Sequence, residues 1–579
     1  SGSGKGGNII VNAPILTTLG EKSQLNVETS GAGQAGNIEI TSNTVTIGKD
    51  AQISATATRD ASNTSGGGSI NINASNLNIA GELGIFAETQ GIAPAGTLTL
   101  NPNPTNPNLN IRFIEQGKIS ASTSASGNGG DINISAPNNI DISGNGTIAV
   151  EASGSGNAGT INLNTNQLNL SSGVTVTAST SKTGTGNAGN INLNATQINL
   201  EQATVTAFTN GGGNAGSIFI PNAQTITLDN STISTEIQEN GVATEPSNIT
   251  IQTQQLTLDN HSQITATTSG DGNAGTITIT ADSLRLTNRS SIQTNTSSSG
   301  IAGDLVFNLT DELTLDNSTL EASTDPNSTG NGGSIRIDPT TVNLNNNARI
   351  SVNSQGVGDG GNLSLEARNL SLRNNSAISA TTASGEGGNI TLNVLDTVTQ
   401  RNNSPISATA SGTGNGGNIT LNTRFLVGNE NSNITANAFQ GRGGNINITA
   451  DGIFRGSNSP ITASSQLGVD GVVQTNTPEV DPSRGLLNLP QNPVDPNALI
   501  AQNACRRGGQ SEFTVTGRGG LPNTPEQVQR SNEVEVGLVE VTEQTATSKP
   551  KKETQAIRKI IPAQGWQRND KGEMVLVAY

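Results

Sequence analysis

Apolar and polar residues in this chain alternate at a spacing of two, in short runs that return in a fixed order. Residues 189–207 show the unit. Gly189 opens it, Ile191 and Leu193 alternate with Asn192 and Asn194, Ile198 and Leu200 repeat the alternation, and Val205 and Ala207 repeat it again. A spacing of two is strand spacing, because successive side chains point to opposite faces. Gly, Asn, Asp and Ser stand between the runs, where turns need them. No stretch of 1–464 carries the 3.6 spacing of a helix. The unit predicts three short strands per repeat.

The opening Gly-x-Ile or Gly-x-Leu returns about every 29 residues from Gly7 to Gly444. The later members are Gly189, Gly216, Gly275, Gly303, Gly333, Gly361, Gly388, Gly417 and Gly444, with Ser247 in the same slot after Gly216. They are expected to be turn glycines. A period of this length marks a solenoid, in which one repeat cannot hide its apolar face and is stable only against its neighbours. The fold predicted is all-β: a right-handed parallel β-helix of about 16 rungs with three strands each. At roughly 4.8 Å per rung, that is a rod on the order of 75 Å long.

A second register runs alongside. Asn230, Asn260, Asn288, Asn317, Asn346, Asn374 and Asn402 each precede a third strand. Asn tolerates left-handed backbone, and its amide can bond the next Asn along a stack. The column therefore predicts a corner carrying an asparagine ladder, in preference to a row of ligands.

Three parts follow. Residues 1–464 form the rod. Residues 465–555 are a Pro-rich, largely irregular linker, in which one short helix can start at Asp495-Pro496 and a strand can run over Glu512–Thr516. Residues 556–579 are a β-hairpin element with its turn at Asn569–Gly572. The first residues already lie inside a repeat, so the chain is expected to be the C-terminal piece of a longer protein.

Composition narrows the chemistry. The formal net charge of −16 argues against nucleic acid or an anionic membrane as a partner. No apolar run is long enough to span a bilayer as a helix. Cys505 is the only cysteine and His261 the only histidine, far apart in sequence, which excludes a zinc cluster or a Cys/His pair. His261 reads as a corner residue. The Gly-rich turns open no helix, so they cradle no phosphate, and the nine-residue period of calcium-binding β-rolls is missing. The enzymatic alternative is a β-helical polysaccharide lyase or hydrolase. That needs clustered carboxylates, whereas Asp229, Asp259 and Asp316 sit beside Asn in a corner, and the only Trp and Tyr, Trp566 and Tyr579, lie in the tail. No enzyme activity, cofactor or metal is expected. Outward Ser and Thr form a further column (Thr177, Thr206, Ser234, Thr265, Ser379, Ser407), broken by Glu321 and too mixed for an ice-binding array.

Gly-Gly-Asn-Ile-Thr-Leu-Asn at 387–393 and 416–422, and Asn-Ser-Ala-Ile-Ser-Ala-Thr-Thr at 375–382, resemble the repeats of filamentous-haemagglutinin-like large exoproteins of two-partner secretion systems. In the tail, residues 493–505, 513–522, 563–566 and 575–577 are similar to the ends of such exoproteins. The resemblance covers nearly the whole chain, and the tail motifs are the more specific part. It implies export through a dedicated outer-membrane β-barrel transporter and a place outside the cell or on the bacterial surface. Members of the family include adhesins, surface-layer-like proteins and toxin carriers. With no toxin constellation in the tail, the expected function is a secreted, surface-displayed adhesin or cell-envelope fibre that binds glycans or cells through repeated polar faces. A toxin-carrier rod is the other alternative.

Overall fold

The computed structural model describes residues 4–62 and 66–478, and the backbone of 565–568 and 574–577. All regular structure among these residues is β-strand. Every strand of the solenoid pairs in parallel with its equivalent one rung away, as at Ile161↔Ile191, Leu163↔Leu193, Leu168↔Ile198 and Leu170↔Leu200. Third strands pair likewise, as at Val176↔Val205. Like therefore stacks on like, and the interior is a set of aliphatic columns. Ile390, Leu392, Ile419 and Leu421 are each 0% exposed, and burying such a side chain contributes roughly 1.5–3 kcal/mol before entropy is subtracted.

First and second strands share one 23-stranded sheet, and third strands form a 16-stranded sheet. In many rungs the first two strands run together as one, as at Ile161–Ser171 and Ile390–Arg401. They separate at Leu98–Asn101 and Asn108–Phe113, where Pro102, Pro104 and Pro107 remove backbone donors. There the loop bonds itself: Asn103 Oδ1 accepts from the Thr105 backbone at 3.1 Å and its hydroxyl at 2.8 Å.

A further column follows the third strand and was not read in the sequence. Thr29, Ala57, Thr89, Thr123 and Ala152 bridge in order, and so do Thr268, Thr296, Thr324, Ser354, Thr382, Ala410, Ala438 and Ser465. Small residues fit where the coil closes. The buried hydroxyls there turn onto nearby carbonyls, as Thr29 Oγ1 does on Gly33 at 2.6 Å and Thr209 Oγ1 on Gly213 at 2.7 Å, which satisfies them.

The stack continues beyond residue 464. Val473–Asn476 pairs in parallel with Ile446–Thr449, opening one more turn, so the solenoid has about 17 turns spaced about 28 residues apart. Gly471-Val472-Val473 is the overlooked opening: it has Val where the Gly-x-Ile or Gly-x-Leu rule asks for Ile or Leu. The helix expected at Asp495, the strand at Glu512–Thr516 and Cys505 lie outside the described residues. In the tail, Gly565–Arg568 pairs antiparallel with Met574–Val577.

Candidate functional site

All seven column asparagines have left-handed backbone: φ is 46° at Asn230, 52° at Asn260, 54° at Asn288, 49° at Asn317, 52° at Asn346, 56° at Asn374 and 53° at Asn402. Their bonds are of two kinds. Asn374 donates to Asn346 at 3.0 Å and Asn402 to Asn374 at 2.7 Å, an amide-to-amide ladder. Where Asp precedes Asn, the amide reaches that carboxylate one rung back: Asn260 to Asp229 at 2.9 Å, Asn288 to Asp259 at 2.7 Å and Asn346 to Asp316 at 3.0 Å. The geometry is that of an exposed structural corner.

At Gly189, Gly216, Gly275, Gly303, Gly333, Gly361, Gly388, Gly417 and Gly444 the backbone does not take the left-handed φ of a turn glycine. Close approach is the reason for glycine there. A Cβ at Gly361 would overlap the carbonyl oxygen of Gly333 one rung below, and one at Gly388 would overlap that of Gly361. In the next position a second ladder forms that the sequence reading missed. The Asn362 side chain accepts from the Asn389 backbone at 3.3 Å, Asn389 from Asn418 at 3.1 Å and Asn418 from Asn445 at 3.1 Å. The Gly-Asn-Ile triplet carried that signal.

Little in the corners can perform chemistry. His261 is exposed in a left-handed turn with φ 66°. The Thr287 hydroxyl, 2.7 Å from Asp259, holds that carboxyl below its ordinary value, with help from the amides of Asn288 and Asn260 and against partial burial. A carboxylate stabilised in its charged form is a poor proton donor near neutral pH. Among the described residues, no group of three or more His, Cys, Asp or Glu is placed to hold a metal ion.

The outward face of the third strands offers more. Its hydroxyl row stacks as Thr177↔Thr206↔Ser234↔Thr265, passes through Gln293 and Glu321, and resumes with Ser351, Ser379 and Ser407. Thr177 and Ser351 are covered by their neighbours, and the other hydroxyls are partly exposed. Third strands are six residues long at Thr147–Ala152, Thr175–Thr180, Thr204–Thr209, Thr232–Ile237 and Gln263–Thr268, but only three at Lys118–Ser120 and two at Ile406–Ser407. Where they lengthen, a cleft of about 550 Å³ opens, lined by Glu88, Lys118, Glu151, Lys182 and Phe208 among others.

The walls of this cleft are fixed by their neighbours. Lys118 Nζ lies 3.4 Å from Glu151 Oε2 and donates to it. Ser179 Oγ donates to Glu151 Oε1 at 3.4 Å, and the Glu151 backbone N–H donates to Ser122 Oγ at 3.0 Å. Buried Ser120 donates to Glu88 and lies 2.8 Å from the Ser122 hydroxyl. None of these residues stood out in the sequence, because the charged ones break the repeat and the serines look like any other outward hydroxyl. The usable signal was a charged or aromatic residue in an outward third-strand slot.

Exposed apolar side chains also stand on the second strands and on the corner before them, at Phe454 and Leu395 respectively. Phe454 is 60% and Leu395 69% exposed. The Phe425 and Phe454 rings lie 6.3 Å apart, with the Arg424 guanidinium 5.3 Å from the Phe425 ring centre. No family model matches the chain, and no curated protein matches it either.

Proposed function

We propose that this chain is part of a secreted, surface-displayed structural protein that acts as an adhesin or cell-envelope fibre, exported through an outer-membrane β-barrel transporter. One observation carries the reading: on a stack of about 17 turns, outward hydroxyl and amide side chains recur in register from rung to rung between Thr206 and Ser407, with one break at Glu321. Such a surface repeats one weak contact many times, so avidity supplies the strength that no single contact provides. The net charge of −16 favours uncharged partners over nucleic acid or anionic lipid. The resemblance of the repeats and tail to two-partner exoproteins supports the same reading.

Deleting the parent gene, labelling the cell surface for the protein and measuring attachment or aggregation tests it. Surface label on the parent strain and reduced attachment in the deletion strain are expected. A protein found only in the cytosol ends the reading.

A polysaccharide-cleaving solenoid is the second reading, favoured by Glu88 and Glu151. Ser122 stands between them in one outward row, so they are two rungs apart, roughly 10 Å by strand spacing. That approaches the carboxyl separation of inverting glycosidases. Reducing-end release from pectin-like or alginate-like polymers tests it. Turnover abolished by Glu151→Gln establishes it, and no turnover removes it.

A further inference from the structure

We infer that the cleft on the third-strand face binds an uncharged oligosaccharide lying along the solenoid axis. This deepens the surface-binding reading and rests on it for the class of ligand. The cleft itself sets the orientation. Its lining comes from six successive rungs, from Glu88 through Lys118, Glu151, Lys182 and Phe208 to Gln238, so it runs for roughly 24 Å parallel to the axis. An extended pyranose chain advances by about the length of one rung per sugar, roughly 5 Å. Each sugar would then meet the side chains of about one rung.

The lining has both kinds of group that a pyranose presents surfaces for. Phe208 is half-buried and stacks in register beside Glu236, giving an apolar plate for the C–H face of a ring. Glu88 and Glu151 each keep free acceptor sites after bonding their serines, and Lys118 and Lys182 supply donors for hydroxyl edges. The lining carboxylates of Glu88 and Glu151 are offset by the ammonium groups of Lys118 and Lys182, and Glu236, which accepts from lining Gln238 at 3.4 Å, adds one negative charge at the far end, so nothing there favours an anionic ligand. The strongly negative chain repels polyanions. Ser120 holds the Glu88 carboxylate, and Ser179 with Lys118 holds that of Glu151, before any ligand arrives, which lowers the ordering cost of binding. The volume falls within the roughly 300–1,000 Å³ of ordinary small-ligand sites.

The test uses the purified chain and calorimetric or NMR titration with cello-, chito-, manno- and xylotetraose, with tetragalacturonate as the charged counterpart. At least one neutral tetrasaccharide is expected to bind. Its affinity should rise with chain length from two sugars to about five and then level off, as the cleft length requires. Tetragalacturonate should bind at least about ten-fold more weakly. Phe208→Ala should lower affinity about ten-fold, whereas Phe454→Ala, outside the cleft, should leave it unchanged. Thermal unfolding of both variants checks that they remain folded, and Lys182→Ala on the exposed rim gives a second weakened variant if Phe208→Ala does not. The inference is overturned by no binding across the neutral panel, by equal binding of the charged sugar, by cleft variants that bind normally, or by cleavage of the bound sugar. Loss of cell attachment on parent-gene deletion together with a silent panel removes the cleft assignment alone. Absence of the protein from the surface removes the adhesin reading.

Discussion

Arg455 Nη1 donates to Gln400 Oε1 at 2.8 Å, across 55 residues of sequence and over the bare backbone of Gly428. The three occupy one inward row. Leu315, Leu344 and Leu372 stack in it first, and Gln400, Gly428 and Arg455 then replace them in the last rungs. The guanidinium also donates through Nε to the Ser459 carbonyl at 2.9 Å and through Nη2 to that of Ser432. Burial pushes its pKa down to about 10, so it stays charged at neutral pH. A polar cluster thus ends this one apolar row, while Ile446 and Ile448 in the same rung stay buried.

A side chain at Gly428 would occupy the space of that guanidinium. Gly428→Val is expected to displace Arg455 and to cost about 1–3 kcal/mol. Solenoid rungs unfold by neighbourhood, so hydrogen exchange should quicken in residues 419–462 and stay unchanged near the middle of the rod. Unchanged exchange in those last rungs would show that the cluster has no structural weight.

Thr177 is 5% exposed, and its hydroxyl has no hydrogen-bond partner. Thr177→Val keeps the shape and the strand preference while removing an unmatched polar atom. Stability should rise by up to about 1–2 kcal/mol, measured as a higher denaturant midpoint at constant slope. A fall of similar size would contradict this.

Ile390 stacks between Leu363 and Ile419 with no exposed surface. Ile390→Asp places a carboxylate in that column and is expected to cost several kcal/mol, enough to melt neighbouring rungs. Asn374→Ala should be milder, roughly 1–3 kcal/mol, from lost amide bonds and from loss of the polar side chain that makes left-handed backbone tolerable for Asn. Asn374→Gly keeps the backbone and should recover part of that loss. Circular dichroism melts rank the three.

Asp259 has its pKa lowered in the folded chain from the ordinary 3.8, chiefly by the Thr287 hydroxyl. Its contribution is therefore fully present above that ordinary value and is lost as pH falls through the lowered one. NMR of the Asn288 side-chain amide should show its bond to Asp259 giving way only below pH 3.8. In Asp259→Asn the same signal should not titrate there.

The period-two alternation and the return of Gly-x-Ile about every 29 residues by themselves determine the parallel solenoid. A strand stacked on its own copy needs no distant partner, so local pattern and global fold coincide. Left-handed backbone at Asn374 and its six companions was legible for the same reason, since the residue type itself permits that geometry. What the tertiary structure decided lies between rungs. It placed the carbonyl of Gly333 where a Cβ of Gly361 would go, a distance no alternation pattern encodes. It turned some corner amides onto Asp instead of Asn, because the nearest acceptor depends on the rise from one rung to the next. Stacking also brought Glu88, Lys118, Glu151 and Phe208 into one cleft. They are spread over more than a hundred residues of chain, and only the superposition of turns sets them side by side.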